Sequence, residues 1–313
     1  MIKEEFYFDS RDGENRIHAV RYTPDDGNVR GIVQIVHGMA EYVERYENLA
    51  EFLTKRGILV TGEDHLGHGK SVSEGGSFGY FCEQDPATVV VRDVHRLKKI
   101  TEEQYPQVPY IILGHSMGSF IARNYLCRYG SGIDGAVIVG TGMQSSGLIF
   151  ASKAMAGIQK LFCGSKHVSH FIDKAAFGGY NKRIDSPRTS SDWLSRNTDN
   201  VDHYIADELC GFTFTVNGFQ TLFELIRRLQ KQENLEKVPQ NLPILMVSGA
   251  EDPVGDYGKG VHKACNSLKR AGVKNITVKL YENDRHELLN EDDAETAMED
   301  IWQWICKEVP GIA

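Results

Sequence analysis

The chain has 313 residues, 41% apolar and 25% charged, the composition of a soluble globular protein with room for one large α/β domain carrying an insertion or for two ordinary domains. Its net charge of −8, with 35 basic residues scattered along the sequence, argues against nucleic acid as a partner and leaves no polybasic patch for a membrane. The six cysteines form no C-x-x-C pair, suggesting neither a zinc site nor a small disulfide framework, and the acidic Met1–Phe6 opening lacks the apolar core of a signal peptide, so a cytoplasmic protein is expected.

Taken in order, short apolar runs alternate with longer helical patterns, the signature of βαβ units and a mostly parallel sheet. Phe6 to Phe8 and His18 to Tyr22, with Asp12-Gly13 between them, read as an opening antiparallel pair. Gly31 to Val36 is a buried strand, Tyr46 to Arg56 a helix, Ile58 to Gly62 a strand, and Pro86 to Gln104 a helix opened by proline. Tyr110 to Leu113 is the next strand, with Phe120, Ile121, Tyr125 and Leu126 following at helical spacing. Gly135 to Val139 is a strand, then Pro243 to Val247, a helix near Gly258 to Arg270, a strand Ile276 to Tyr281 and a last helix Ala294 to Lys307.

From Gly142 to Leu242 run about a hundred residues, where a crossover needs about a dozen beyond its helix. One core helix near Phe219 to Leu229 fills part of this gap, so residues 143–215 are expected to form an inserted cap on a core made of 1–142 and 216–313. The cap opens with Leu148, Ile149, Phe150 and Met155 at helical spacing, just after a strand whose carboxyl end borders the crevice. Either this face simply packs on the core, or these four are substrate-binding residues, lining an acyl pocket or touching a lipid surface.

The apolar run before residue 114 stops at Gly114-His115-Ser116-Met117-Gly118, a Gly-x-Ser-x-Gly pentapeptide set between strand and helix. In such an elbow the serine occupies a strained left-handed turn, and the flanking glycines leave room where a Cβ would collide. A serine hydroxyl needs a base to take its proton, and the base needs an acid to fix its tautomer. Asp252, just beyond the Pro243 to Val247 strand, and His286, just beyond Ile276 to Tyr281, stand where a Ser, Asp, His order requires them. Glu251, Asp256 and Asp284 compete less well for the acid, and His262 lies within a helix.

An oxyanion needs donors fixed in advance, and the backbone N–H groups of Met117 and Met39 are the candidates. His37 is read as a brace for the loop that carries Met39. The stretch Glu63 to Gly69 contains potential metal ligands, but its glycines suit a tight polar loop, so no metal is expected. Without a Walker lysine or a G-x-G-x-x-G after the first strands, no nucleotide cofactor is expected either.

Taken as a set, the His37-Gly38 loop with Glu41 and Tyr46, the Asp64-His65-Leu66-Gly67-His68-Gly69-x-Ser71 loop, the elbow, Gly249-x-x-Asp252 and His286-Glu287-Leu288 resemble the α/β-hydrolase superfamily. Within it the chain is similar to the monoacylglycerol lipase and lysophospholipase group of serine hydrolases. The resemblance implies an eight-stranded, mostly parallel sheet flanked by helices, with Ser116, Asp252 and His286 as triad and the Met39 and Met117 amides as oxyanion hole. Ala40 departs from the group, which usually has glycine there, and so does Leu66, where arginine is frequent. The expected activity is cleavage of a single-chain lipid ester through an acyl-enzyme, with at most transient membrane-surface contact through the cap. An aminopeptidase or small-ester esterase of the same fold is the alternative, kept open by Asp173, Asp185 and Asp192, and a ligand-binding protein on a hydrolase scaffold is a further one.

Overall fold

Eight segments, most of them rich in valine, isoleucine and leucine, pair into one sheet in the computed structural model, which describes residues 1–312. In chain order the strands are β1 (Ile2–Asp9), β2 (Arg16–Thr23), β3 (Gly31–Val36), β4 (Ile58–Glu63), β5 (Tyr110–His115), β6 (Gly135–Val139), β7 (Ile244–Gly249) and β8 (Ile276–Tyr281). They lie side by side as β1-β2-β4-β3-β5-β6-β7-β8; β2 runs antiparallel to both its neighbours and every other pairing is parallel. β3 to β7 are buried at every position and show no alternation, because helices cover both faces of the sheet. At the margin β8 does alternate.

Among the described residues the chain also forms ten α-helices: α1 (Glu47–Thr54), α2 (Pro86–Gln104), α3 (Met117–Tyr129), α4 (Ser146–Cys163), α5 (His170–Phe177), α6 (Thr198–Ala206), α7 (Val216–Leu229), the short α8 (Gln232–Leu235), α9 (Lys259–Arg270) and α10 (Ala294–Glu308). On one face α2, α3, α7 and α9 contribute Val94, Leu97, Ile121, Tyr125, Leu225 and Val261 to the larger core. On the other, α1 and α10 contribute Leu49, Leu53, Ile301 and Ile305. The expected elements are all present, with ends displaced by what the chain meets on folding. β1 and β2 are longer than their apolar patches because the ladder continues through polar ends, Glu4 in β1 opposite Arg21, and Arg16 and Thr23 in β2 opposite Asp9 and Ile2. α7 starts before Phe219 because the Thr215 hydroxyl accepts from the Gly218 N–H and caps it.

Between β6 and α7 the chain builds α4, α5 and α6, each begun by a side-chain cap: Ser145 for Leu148, Ser169 for Ile172 and Asn197 for Asn200. This stretch adds no strand to the sheet among the described residues; an isolated antiparallel bridge joins Val168 to Thr215.

The feature that positions the site is the junction of β5 and α3. A Cβ on Gly118 would lie 1.8 Å from the carbonyl oxygen of Val36, and one on Gly114 would lie 2.5 Å from the Gly118 carbonyl oxygen. The first turn of α3 is thus pressed directly against the end of β3, an approach that any side chain forbids. Gly118→Ala is expected to destabilise the protein by about 3 kcal/mol, because the obstruction is backbone and cannot rotate away. A urea denaturation midpoint equal to that of the parent protein would contradict this close approach.

Candidate active site

Ser116 sits between β5 and α3 at φ 54° and ψ −121°, a conformation L-residues rarely adopt. Its backbone N–H donates to Val139 on β6 at 3.0 Å, and its carbonyl oxygen accepts from the Ser119 hydroxyl at 2.5 Å. The turn is therefore held from both sides. Met117, the first residue of α3, has an N–H with no intrahelical acceptor, and it lines the same cavity as Ser116 and Met39.

The loop that carries Met39 is folded by its own acid. Glu41 accepts the Gly38 N–H at 2.5 Å and the Tyr46 hydroxyl at 2.8 Å, and it faces His115 Nδ1 at 3.2 Å. Burial pushes the Glu41 carboxyl up, but the His115 hydrogen bond and the Arg45 charge outweigh it and hold it well below its ordinary range. His37 braces the loop as expected: Nδ1 donates to the Gly38 carbonyl at 2.8 Å, Nε2 accepts the His65 N–H at 3.0 Å, and the His37 and His65 rings stack at 4.0 Å. Burial lowers the basicity of His37, His65 and His68, the last down to about 3, which favours their neutral forms. The Glu63 to Gly69 stretch is a tight polar loop, in which Asp64 accepts from the Val43 and Lys70 N–H groups and pairs with His18 Nδ1 at 2.8 Å.

Asp252, fully buried beyond β7, accepts His286 Nδ1–H at 3.0 Å through Oδ2, while its Oδ1 takes the Val254 N–H at 2.8 Å. That hydrogen bond leaves the lone pair on His286 Nε2, a buried atom with no protein partner. His286 and Ser116 stand on the wall of one cavity of about 800 Å³. None of the competing acids bonds to the His286 ring: Glu251 and Asp256 are exposed, Asp256 on the cavity wall, and burial with the nearby Asp293 and Glu291 pushes Asp284 up to about 7.

The cavity runs from these groups between α3, α4 and α7, past Phe120, Met143, Leu222, Phe223 and Ile226. Leu148, Ile149 and Met155 line it, and Phe150 does not, being 77% exposed. Two residues are about 200° around a helix, so with Leu148 at the cavity Phe150 must face away from it. It joins Ile158, Leu161 and Phe162 on an exposed apolar ridge. Residues not anticipated from sequence include Trp193, whose ring lies over His286 at 5.1 Å, and Tyr204 and Phe212 on the cavity wall. No periodic pattern marks Trp193, which comes from a single 3-10 turn, Asp192–Leu194, and meets His286 only through tertiary folding.

The chain is also similar to known proteins. A family model described as serine aminopeptidase S33, a hydrolase family, matches residues 27–293. The chain belongs to this family. It is 28% identical to monoglyceride lipase of Rattus norvegicus over 92% of this chain and 86% of that one. With monoacylglycerol lipase of Mycolicibacterium smegmatis it shares 27% identity over 91% of this chain and 90% of the other. A crystal structure of a thermostable carboxyl esterase from Bacillus coagulans, bound to glycerol, superposes with a TM-score of 0.91 at 31% identity, covering both chains completely. The fold is that of the α/β-hydrolases, as the sequence motifs implied.

Ala40, at a position where the resemblance implies glycine, adopts φ 52°. A Cβ there strains the backbone of the loop next to Ser116. Ala40→Gly is expected to stabilise the fold by up to about 1 kcal/mol, the relief of that strain exceeding the extra freedom glycine gains on unfolding. A lower denaturation midpoint for the glycine variant would contradict it.

Proposed function

We propose that the protein is a carboxylic ester hydrolase of the monoacylglycerol lipase type, working through a Ser116 acyl-enzyme. The observation that carries the reading is the apolar cavity with Ser116 and the unpaired His286 Nε2 on its wall. In the cycle Ser116 Oγ attacks the ester carbonyl as His286 Nε2 takes the hydroxyl proton. The Met39 and Met117 amides receive the oxyanion, each such donor contributing about 3 kcal/mol to barrier lowering. His286 then passes its proton to the departing alcohol, and Asp252 steadies the imidazolium. Water repeats the sequence and releases the acid.

Residues 143–215 act in this scheme as a cap on the core formed by 1–142 and 216–313, with α4 supplying the acyl wall through Leu148, Ile149 and Met155. Single-chain esters such as monoacylglycerols or lysophospholipids suit a cavity of this size. The outward ridge of Phe150, Leu161 and Phe162, 77–84% exposed, is the part of the cap suited to touch a lipid surface transiently. No helix among the described residues is long and apolar enough to cross a membrane. The six cysteines stand unpaired, as suits a reducing, cytoplasmic compartment. An aminopeptidase would need carboxylates to hold an ammonium group. Of the candidates, Asp173 lines the cavity but burial pushes its carboxyl up, and Asp192 is occupied by the Arg188 and Thr189 N–H groups.

Rates across p-nitrophenyl esters of increasing chain length, beside an aminoacyl amide, test the reading: rates should climb from acetate to longer chains and be negligible on the amide. Preference for the amide would contradict it. Met155→Asp should cut the rate on a dodecanoyl ester about 10²-fold relative to acetate, as expected when about four buried methylenes at about 0.8 kcal/mol each lose their apolar wall. Equal losses on both esters would remove Met155 from the acyl site. Phe150→Asp should leave hydrolysis of dissolved esters unchanged and slow only that of vesicle-borne monoacylglycerol; a loss on dissolved esters would place Phe150 in the pocket instead.

A further inference from the structure

The proposed reacting groups are enclosed by a second, buried circuit of charge. Glu287, the residue after His286, is 3% exposed and receives the Arg45 guanidinium through both oxygens, Nη1 to Oε1 at 2.7 Å and Nη2 to Oε2 at 2.8 Å. Arg45 Nη1 also donates to Glu41 Oε2 at 2.8 Å, and Glu41 Oε1 in turn faces His115 Nδ1. His115 Nε2 closes the loop by donating to the backbone carbonyl of His286 at 3.1 Å. From α6, Asn200 Nδ2 adds a hydrogen bond to Glu287 Oε2 at 2.7 Å, and the Glu287 N–H reaches the Leu194 carbonyl at 2.6 Å.

Two features of this circuit point beyond stability. A buried ion pair contributes little net stability, since desolvation offsets most of the attraction, so the fold alone does not account for placing one here. And every link ends on a segment that carries a proposed reacting group: the Met39 loop through Glu41, the residue before Ser116 through His115, and the peptide of His286 through both its carbonyl and the side chain that follows. Burial would push the Glu287 carboxyl up, yet the Arg45 charge outweighs it and keeps it ionised.

We propose that Glu287 is a positioning residue for His286: gripped by Arg45, it sets where the imidazole stands relative to Ser116 and to the amides of the Met39 loop. This rests on the reading of His286 as base and Ser116 as nucleophile. Glu287 lies on the cavity wall, but its carboxylate is taken up by Arg45, Asn200 and Asn290 rather than offered to a substrate. Its influence passes through the backbone of one peptide unit.

Glu287→Gln keeps the size of the side chain and removes the charge that orients Arg45. With p-nitrophenyl butyrate, kcat is expected to fall about 10²-fold, the effect of roughly an ångström of misplacement, while KM stays within about two-fold. Labelling of Ser116 by a fluorophosphonate should slow by a similar factor and still reach the wild-type stoichiometry. A folded variant with wild-type kcat overturns the proposal, and so does a loss that merely tracks a reduced labelled fraction, since that is a purely structural effect. Should Glu287→Gln fail to fold, Arg45→Lys is read instead, because it retains the charge and loses the two-pronged grip; lowered kcat at unchanged KM supports the proposal and wild-type kcat overturns it. If the wild-type protein itself carries the adduct on a residue other than Ser116, the underlying reading fails, and that result is distinct from either outcome above.

Discussion

The bend at Ser116 is the constraint from which the rest of the site follows. A non-glycine residue at φ 54° is strained, and it persists because its surroundings leave no alternative. Gly118 packs against the Val36 carbonyl, Gly114 against the first turn of α3, and Ser119 ties back to the Ser116 carbonyl. Once α3 is pressed into the end of β3, the loop leaving β3 has to pass beside the serine: a Cβ on Gly38 would lie 3.0 Å from that of Ser116. The two amides proposed to receive the oxyanion are thus brought together by one packing contact between a helix end and a strand end.

Around that bend the segment between β6 and α7 divides into two physically different parts. Its later part is fastened to the loop of His286: Arg285 donates to the carbonyls of Asp192 and Ser195, and Glu291 accepts from the Ser195 hydroxyl and from the Arg196 and Arg285 N–H groups. Its earlier part, α4 and α5, offers mainly apolar side chains, turning Ile149 and Met155 toward the cavity and Phe150, Leu161 and Phe162 outward. Polar fastening suits the part that must hold a base in place. Apolar packing suits the part that must accept chains without a fixed hydrogen-bonding pattern.

The core and the chain order of the proposed triad were legible because they depend on local signals. Glycines at 114 and 118, the continuous burial of β5 and the placement of Asp252 and His286 just beyond strand ends are all written in runs of a few residues. The facing of α4 was not: Leu148, Ile149, Phe150 and Met155 form one apolar group in sequence, yet the helix turns Phe150 to the opposite side. An amphipathic pattern separates faces only when one of them is polar, and the outer ridge of α4 is apolar as well. Trp193 over His286 and the Arg45–Glu287 pair join segments far apart in the chain, and no spacing rule reaches across such distances. The identity of Ala40 gave a hint that only the backbone could interpret, since its departure from glycine matters through the left-handed φ it adopts.

The account stands on a covalent intermediate at one hydroxyl. Rapid-quench mixing of the protein with p-nitrophenyl butyrate, followed by peptide mass mapping, measures that intermediate directly. The account predicts a burst of p-nitrophenol matching the enzyme concentration, a butyryl group on the peptide containing Ser116, and neither in Ser116→Ala. Turnover by Ser116→Ala at the parental rate, or a butyryl group on a different residue of the parent protein, would contradict it.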